Sequence, residues 1–429
     1  MSAVVDAISG GRGPALFLLS IAFPNSQTVR VASAPFSSAT GGHYKPLVLQ
    51  WGTIDYSISD RGGRTPAVET RVRISDTDRT IGRIVSGAYS DSVRGSTATI
   101  YLATPSVASS SWLTVFSGVV AKVSFPEPFV AEVVLRVKDD QLQRVSGKPL
   151  TRVQFPNAAA AVFDKIMPVA YGVHDASTIQ TGPGLIPCLY VDKIGFRYLV
   201  CFGKAKSVDR VYVDGAQTGS GWTTVYETVN GRICTLIDFT TDQGTAEITV
   251  DVNGFESVGD GSGSTITNPA TQWAHRLTNF VFGDYMSGSW ASTNSLIDST
   301  SLASAESFLT SLSAKGSDYD DQKRTGTDIT ARFATSFRML SYWTFGGKVA
   351  IGRETPEQTP YSGTTLRWYK DEHGQFQLEQ DDWNVTSRTL VRQARSASQG
   401  SYLTAFEVVD ASITEDKQEA LDLEVSEAR

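Results

Sequence analysis

The chain has 429 residues and a formal net charge of −7, with 41% hydrophobic and 19% charged residues. The acidic balance and the lack of a Lys/Arg-rich stripe argue against specific nucleic-acid binding. A charged fraction below the usual ~25% is typical of a folded, β-rich protein with an uncharged polar surface, and this length predicts two to four domains.

The cysteines and the apolar runs define the expected compartment. Cys188, Cys201 and Cys234 are too few for a disulfide framework and form no C-x-x-C pair, so we expect buried free thiols in a reducing cytoplasm. The run GPALFLLSIAF over 13–23 is too short to span a bilayer, and no A-x-A-like cleavage site follows it. It predicts a buried strand ending at Pro24, with neither a membrane segment nor secretion.

Residues 1–150 are predicted to form an N-terminal β-barrel or sandwich domain, because seven candidate strands follow one another at hairpin-like intervals without βαβ alternation. They are ALFLLSIAF (15–23), TVRVAS (28–33), PLVLQWGTIDYSIS (46–59), VETRVRIS (68–75), TATIYLA (97–103), WLTVFSGVVAKVSF (112–125) and AEVVLRVKD (131–139). The fourth alternates in period two. One face carries Val68, Thr70, Val72 and Ile74, and the other carries Glu69, Arg71 and Arg73. PEP (126–128) predicts a rigid turn.

Residues 151–262 are predicted to form a second β domain. An alanine run before Val162 and Phe163 predicts a brief helix that stops before Pro168, and Tyr171-Gly172 then turns the chain. Five candidate strands follow: CLYVDKIGFRYLVCFG (188–203), VDRVYVDG (208–215), WTTVYETV (222–229), RICTLIDFT (232–240) and AEITVDVNG (246–254).

Residues 263–360 are predicted to form a small α/β subdomain of about three helices, after a Gly/Ser-rich hinge at 256–269. Asn268 caps and Pro269 opens the first helix, which ends at Gly283. The inward positions are Ala270, Trp273, Leu277 and Val281 in the first helix, Leu302, Ala305, Phe308, Leu309 and Leu312 in the second (300–315, stopped by Gly316), and Ile329, Phe333, Phe337 and Leu340 in the third.

The third helix leads into LSYWTFGGKVAI (340–351), where two glycines separate two strand-forming runs. This pattern predicts a tight hairpin, because both central residues of a type I′ turn need φ > 0. Residues 361–429 are predicted to form a C-terminal β segment with a hairpin about Glu372-His373-Gly374. Its end, 406–429, contains eight acidic and two basic residues. We expect this end to be solvated, to bind a partner and to lack a hydrophobic core.

The sequence predicts no catalytic, cofactor-binding or metal site. It contains no G-x-S-x-G, no Walker A motif, no H-E-x-x-H and no G-x-G-x-x-G that opens a helix. His43, His174, His275 and His373 are scattered singly and are interpreted as structural or exposed residues. We therefore expect a protein that is not an enzyme.

Two acidic patterns are candidate sites. In GSDYDDQK (316–323), Asp318 and Asp320 occupy EF-hand positions 1 and 3, but Lys323 replaces the required glycine and Ile329 the bidentate glutamate. A solvated acidic loop is the favoured interpretation, and a looser ion site is the alternative. The pairs Asp139/Asp140 and Asp381/Asp382 are poor acid/base partners, because neighbours on a strand point to opposite faces.

Several segments together resemble the tail-tip and baseplate hub proteins of long-tailed bacteriophages. LFLLSIAFPNSQTVRVASAPF and HYKPLVLQWGTIDYSIS, with VFSGVVAKVSF and VVLRVKDD after them, resemble the β-rich front domain of those proteins, and FDKIMPVAYGVH resembles the turn before their next β domain. The clearest similarity is NPATQWAHRLTNFVFGD, SFLTSLSAKG and ITARFATSFRMLSYWTFGGKVAI. Tail hub and baseplate proteins often show this order of three helices followed by a W-T-x-x-G-K hairpin. Trp343, Thr344, Gly347 and Lys348 match that hairpin.

The resemblance implies a virion protein of the tail tip, assembled in the host cytoplasm. A ring of copies, three by the resemblance, would close the tail tube. It would contact a distal tail or tube protein, the tape-measure protein and a fibre or spike. Some such proteins carry an iron–sulfur cluster on four cysteines, and three cysteines at spacings of 13 and 33 predict no cluster here.

Two alternatives stay open at this point. A protein that binds or cleaves host glycans could stack sugars on Trp222, Trp290 or Trp368, although core aromatics are the favoured interpretation of these residues. A tailocin or contractile injection device would use the same kind of component, and the sequence does not separate it from a phage part.

Overall fold

The structure is a computed structural model of the chain. It describes residues 3–4, 7, 15–23, 27–38, 40–54, 68–86, 93–176, 184–229, 231–257, 263–283, 294–337, 339–353, 386–395, 402–409 and 419–423. In these residues most regular structure is β-strand, arranged in several separate sheets with a few helices. The expected mainly β fold is confirmed, whereas the domain boundaries at 150, 262 and 360 stay predictions.

The front of the chain forms a seven-stranded sheet with the order β2-β1-β7-β8-β9-β6-β5. Its elements and those attached to it are β1 (Leu16–Ala22), β2 (Thr28–Ala32), β3 (Phe36–Ser38), β4 (Gly42–Tyr44), β5 (Val48–Trp51), β6 (Glu69–Ser75), α1 (Thr80–Ser86), β7 (Thr97–Ala103), β8 (Leu113–Glu127), β9 (Val130–Arg136) and the one-turn helix α2 (Asp139–Leu142). The alternation predicted for β6 is confirmed, because Val68, Thr70, Val72 and Ile74 are buried.

Residues 45–47, which lead into the edge strand β5, lie between the other edge strand, β2, and the strand β6. In β2, the Ala32 amide donates to the Lys45 carbonyl at 2.8 Å, and the Lys45 amide donates to the Arg30 carbonyl at 3.1 Å. On the other side, the amide of Ser75 in β6 donates to the Leu47 carbonyl at 2.7 Å. The sheet therefore curls until β2 and β6 flank the same segment.

Two sequence predictions for the segment from β8 to α2 are wrong. β8 continues through Pro126 and Glu127, and the chain reverses at Pro128 and Phe129, so PEP is not the turn. Phe129 instead adopts φ 62° and completes the reversal. Asp139 and Asp140 begin the helix α2 rather than lying on a strand.

The second β region forms two sheets packed face to face. Its strands are β10 (Val145–Ser146), β11 (Val169–Tyr171), β12 (Val173–His174), β13 (Ile186–Pro187), β14 (Leu189–Asp192), β15 (Arg197–Phe202), β16 (Ala205–Val213), β17 (Ala216–Thr218), β18 (Trp222–Val229), β19 (Arg232–Phe239) and β20 (Ile248–Phe255). One sheet has the order β12-β20-β16-β17, with β13 also on β20, and the other has the order β14-β15-β19-β18. Val200, Ile237, Val211 and Val250 share the core between them. The expected brief helix is a 3₁₀ turn at Ala160–Val162.

The helical part follows the predicted order of three helices and a hairpin. Its elements are α3 (Pro269–Arg276), a π-helical continuation at Leu277–Phe282, α4 (Ser299–Ser311), β21 (Asp318–Asp320), β22 (Arg324–Thr325), α5 (Gly326–Phe337), β23 (Met339–Trp343) and β24 (Val349–Arg353). The Asn268 side chain accepts hydrogen bonds from the amides of Ala270 and Thr271, which confirms the predicted cap.

Two positions differ from the predicted helical stripes. α4 ends at Ser311, so the side chain of Leu312 lies outside the helix and is 60% exposed. α5 ends at Phe337, and Leu340 belongs to β23. In both places the apolar spacing continues past the point where the backbone leaves the helix.

The helical part and the front sheet share one hydrophobic core. Trp273, Phe333 and Trp343 from the helical part belong to the same continuous cluster as Val72 and Phe116 from the front sheet. Residues far apart in sequence therefore form one packed body.

The last described strands are β25 (Thr386–Arg395), β26 (Tyr402–Val409) and β27 (Glu419–Leu423). β26 pairs with β25 in antiparallel and β27 pairs with β25 in parallel orientation. Part of the acidic end is thus β-structure, and the hairpin predicted about Glu372–Gly374 lies outside the described residues.

Candidate functional site

The Gly-Gly hairpin forms as predicted, but its turn is of another type. The Gly347 amide donates to the Thr344 carbonyl at 2.9 Å, and the Thr344 amide donates to the Lys348 carbonyl at 2.9 Å. Of the two glycines, Gly347 has a positive φ (69°) and Gly346 does not. A type I′ turn needs two such residues, so the loop instead matches a three-residue connection that ends in a left-handed glycine.

This hairpin docks on the front sheet. Gly347 lies against the backbone carbonyl of Ser117 in β8, too close for a β-carbon to fit between them. On the other side, the Val349 amide donates to the Leu296 carbonyl at 2.7 Å and the Asp298 amide donates to the Val349 carbonyl at 2.8 Å. The hairpin therefore connects β8 to the start of α4, with the Trp343 side chain buried in the shared core.

Asp318 and Asp320 of the acidic segment 316–323 do not lie in a solvated loop, which corrects the sequence interpretation, whereas residues 321–323 are exposed. Asp318 and Asp320 lie in β21, which pairs with β11, and the Asp320 side chain is only 3% exposed. The guanidinium group of Arg276, itself 8% exposed, contacts both carboxylates. Arg276 is the last residue of α3, so this ion-pair cluster joins that helix to β21.

Two further arginines complete the cluster. Arg324 Nε lies 3.1 and 3.2 Å from the two Asp320 carboxylate oxygens, and Arg332 Nη1 lies 4.0 Å from Asp320 Oδ2. Burial lowers the pKa of the Arg324 guanidinium from its usual value, and Asp318, Asp328 and Asp321 oppose that shift. Because buried carboxylates need such partners, these arginines neutralise the aspartates where an EF-hand would hold a cation.

The arginines were missed by the sequence analysis, although one signal was present. Arg276 stands in a helix whose neighbours Ala274 and Leu277 are fully apolar and buried. A charged side chain inside such a helix requires a partner of opposite charge. Asp318 and Asp320 could supply that opposite charge, but only the fold brings their segment next to the helix of Arg276.

Two buried histidines contact the same tyrosine beside this cluster. His275 Nδ1 lies 2.7 Å from the hydroxyl oxygen of Tyr171, and His174 Nε2 lies 2.9 Å from the Tyr171 carbonyl oxygen. Phe255 stacks on Tyr171 with ring centroids 5.2 Å apart. The structural interpretation of both histidines fits these contacts. His43 lies at the surface, 2.8 Å from Ser37 Oγ, and His373 lies outside the described residues.

The cysteines are free thiols, as expected. Cys201 and Cys234 are buried and belong to different core clusters on either side of their sheet, whereas Cys188 is half-buried. Burial raises the pKa of Cys201 to about 12 and raises the pKa values of Cys188 and Cys234 as well. These thiols are therefore protonated at neutral pH, which suppresses their reactivity.

One cleft of ≈ 140 Å³ contains two carboxylates, Asp76 and Asp78. Asp76 accepts hydrogen bonds from the amides of Ile81 and Gly82, both at 2.8 Å, and so caps α1. A hydrogen bond from Lys45 lowers the pKa of Asp78 to about 2. A general acid needs a raised pKa, so Asp78 does not fit that role in glycoside hydrolysis.

The described residues contain no group of three or more His, Cys, Asp or Glu side chains placed to hold a metal ion. Trp222 is half-buried, and its indole N–H donates to the Thr218 carbonyl at 3.3 Å, so it is packed rather than free to stack on a sugar. Trp290, Trp368, Asp381 and Asp382 lie outside the described residues. No helix in the described part is both long enough and apolar enough to cross a membrane.

Comparison with known proteins adds little. No protein-family model and no curated protein matches the chain. One solved structure that matches is described as the virion of a native gene transfer agent particle. The alignment covers 58% of this chain and 82% of that chain, at 12% identity and a TM-score of 0.25. A similarity this low supports no conclusion, so the proposal below depends on the residues and their contacts.

Proposed function

We propose that the chain is a structural component of a bacteriophage tail tip. In this role it forms a hub ring of three copies that closes the tail tube. The ring contacts the distal tail or tube protein and the tape-measure protein above, and a fibre or spike below. A phage-derived injection device would use the same component in the same place.

The observation that carries this proposal is the docking of the helical part on the front sheet. The sequence resemblance rests mainly on three helices followed by the W-T-x-x-G-K hairpin. In the structure, Trp343 of that hairpin is buried in the core shared with β8, and Gly347 contacts Ser117. The residues of the resemblance thus join two layers into one packed body, which suits a ring component that transmits load.

The chemistry of the buried polar groups also supports a structural role. Asp318 and Asp320 are paired with Arg276, and Asp76 caps a helix. Each of these groups therefore stabilises the fold through a named partner. We propose on this basis that the chain is not an enzyme.

A ring is compatible with ordinary assembly physics. Open sheet edges are aggregation hazards unless they are covered, and a neighbouring copy can cover them. Head-to-tail contacts close into a ring when the rotation permits. An acidic, Ser/Thr-rich lumen would let DNA pass without binding, because fixed Lys and Arg side chains would hold phosphates. A strongly basic lumen in an assembled ring would contradict this last point.

The proposal is tested by locating the chain in particles. Particles assembled with a chain that carries a gold-labelled terminal tag should show label at the end of the tail tube and nowhere else. The control is the same labelling of particles that contain the untagged chain. Label on the capsid or along the tube, or particles that lack the chain, would overturn the proposal.

A further inference from the structure

β18 is an edge strand without the usual protection of an edge. It is the last strand of the sheet β14-β15-β19-β18, and among the described residues no strand pairs with its other side. It pairs with β19 over eight consecutive residues, from Trp222↔Phe239 to Val229↔Arg232, without a register shift. Its sequence, WTTVYETV, contains no proline, glycine or lysine and a single charge, Glu227.

The opposite edge strand of the same sheet, β14, is protected against pairing with a further strand. β14 has only four residues, its register with β15 shifts between Tyr190 and Asp192, and the Ala159 amide donates to the Tyr190 carbonyl at 3.1 Å. Short length, an irregular register and a covering segment each hinder the pairing of an edge strand with another chain. In the described part of the chain β18 has none of them, so its outward backbone groups are suited to pairing with another strand.

The register identifies those outward groups. The Thr240 amide donates to the Gly221 carbonyl at 3.0 Å, which extends the β18–β19 ladder by one bonded pair. Bonded and non-bonded pairs alternate in an antiparallel ladder. Residues 223, 225, 227 and 229 therefore bond to β19, whereas the amides and carbonyls of Trp222, Thr224, Tyr226 and Thr228 point away from the sheet.

These groups are self-complementary. When two copies of β18 lie antiparallel about Val225, Trp222 faces Thr228 and Thr224 faces Tyr226, so all four outward residues of each strand form bonded pairs. Glu227, the only charge, then faces Thr223 of the second copy. A pairing centred on Glu227 would instead oppose two like charges, which is unfavourable.

We propose that β18 pairs with β18 of a second copy in the free protein, as an antiparallel two-stranded junction centred on Val225. This inference goes beyond the proposed function and does not depend on it. A two-fold contact between copies is not the head-to-tail contact that forms a ring. We therefore expect this dimer in the free chain, before it assembles into a ring. The pairing covers an edge that would otherwise promote aggregation.

The first test compares Thr224→Pro with Thr224→Ala in the purified full-length chain. The wild-type chain of 46.3 kDa should sediment as a dimer at micromolar concentration. Thr224→Pro removes an outward amide and should yield single chains, whereas Thr224→Ala keeps that amide and should stay dimeric. Unfolding curves establish that both variants are folded. A wild-type chain that sediments as a single copy would overturn the proposal.

A cysteine scan tests the register independently of the proline variant. In the proposed pairing the two Val225 residues form a non-hydrogen-bonded pair, whose Cα atoms lie ~4.5 Å apart, within the range of a disulfide. Val225→Cys should therefore cross-link two chains on mild oxidation, and Thr223→Cys should not. A dimer in which Val225→Cys stays unlinked, or in which Thr223→Cys links equally well, would also overturn the proposal.

Discussion

Gly347, in the hairpin between β23 and β24, lies directly against the backbone carbonyl oxygen of Ser117 in β8. The contact joins residues that are far apart in the chain, and it leaves no room for a β-carbon. The two glycines of the Gly-Gly pair therefore differ in what they require. Gly347 provides both the left-handed backbone and the close approach to the front sheet, whereas Gly346 has neither constraint.

Replacing the two glycines separately should give different results. Gly347→Ala places a β-carbon against the Ser117 carbonyl and forces alanine to φ 69°, so we expect a loss of about 2–4 kcal/mol in the free energy of unfolding. Gly346→Ala meets only the Thr344 hydroxyl, at 3.7 Å, and should change that energy by less than about 0.5 kcal/mol. Urea unfolding measures both, and equal effects would contradict the docked hairpin.

The buried ion-pair cluster should be far more sensitive than a surface pair. Asp320→Asn leaves Arg276 buried without a full counter-charge, and removing one partner of a buried pair costs about 3–5 kcal/mol. Asp78→Asn is the matched control, because the Lys45 and Asp78 side chains are 54% and 38% exposed, and such pairs contribute about 0–1 kcal/mol. Urea unfolding of the two variants should separate them clearly. An Asp320→Asn variant as stable as Asp78→Asn would mean that segment 316–323 is solvated.

Asp78 should contribute a small stability that depends on pH. The hydrogen bond from Lys45 lowers its pKa from 3.8 to about 2, so the folded state favours the ionised carboxylate. The contribution is fully present above the unfolded pKa near 3.8 and is lost as the pH falls toward 2. The stability difference between wild type and Asp78→Asn should therefore be constant near neutral pH and shrink below about pH 4. A difference that grows on acidification would contradict this assignment.

The native thiols should resist chemical modification. Cys201 and Cys234 are fully buried, and burial raises the pKa of Cys201 to about 12, so neither should react with Ellman's reagent in the folded chain. The half-buried Cys188 should react slowly, and all three should react in denaturant. Val153→Cys provides a positive control, because Val153 is 90% exposed. Rapid reaction of two or more native thiols would show that the second β region is less tightly packed than described.

Much of the fold was predictable because its signals are local. The period-two pattern over 68–75 identified the buried face of β6, and Asn268 followed by Pro269 identified the start of α3. Both signals depend on residues within one or two turns of each other. Element type and order could therefore be predicted from the sequence with simple stereochemistry.

The errors occurred where distant residues decide the structure. The segment with Asp318 and Asp320 looks like an acidic loop, because Arg276 lies 42 residues before Asp318 in the sequence. The type I′ turn was expected from Gly-Gly alone, and the close approach of Gly347 to the Ser117 carbonyl is not visible in the local sequence. The shared core of the helical part and the front sheet carries no local signal at all.

The proposed ring can be tested most directly by electron cryomicroscopy of the tail end of intact particles. We expect density at the end of the tube into which three copies of this chain fit around the tube axis. In that density the hairpin carrying Trp343 should remain docked on β8 in each copy. A single copy of the chain at the tube end, or its placement only in fibres or in the capsid, would contradict the proposed ring.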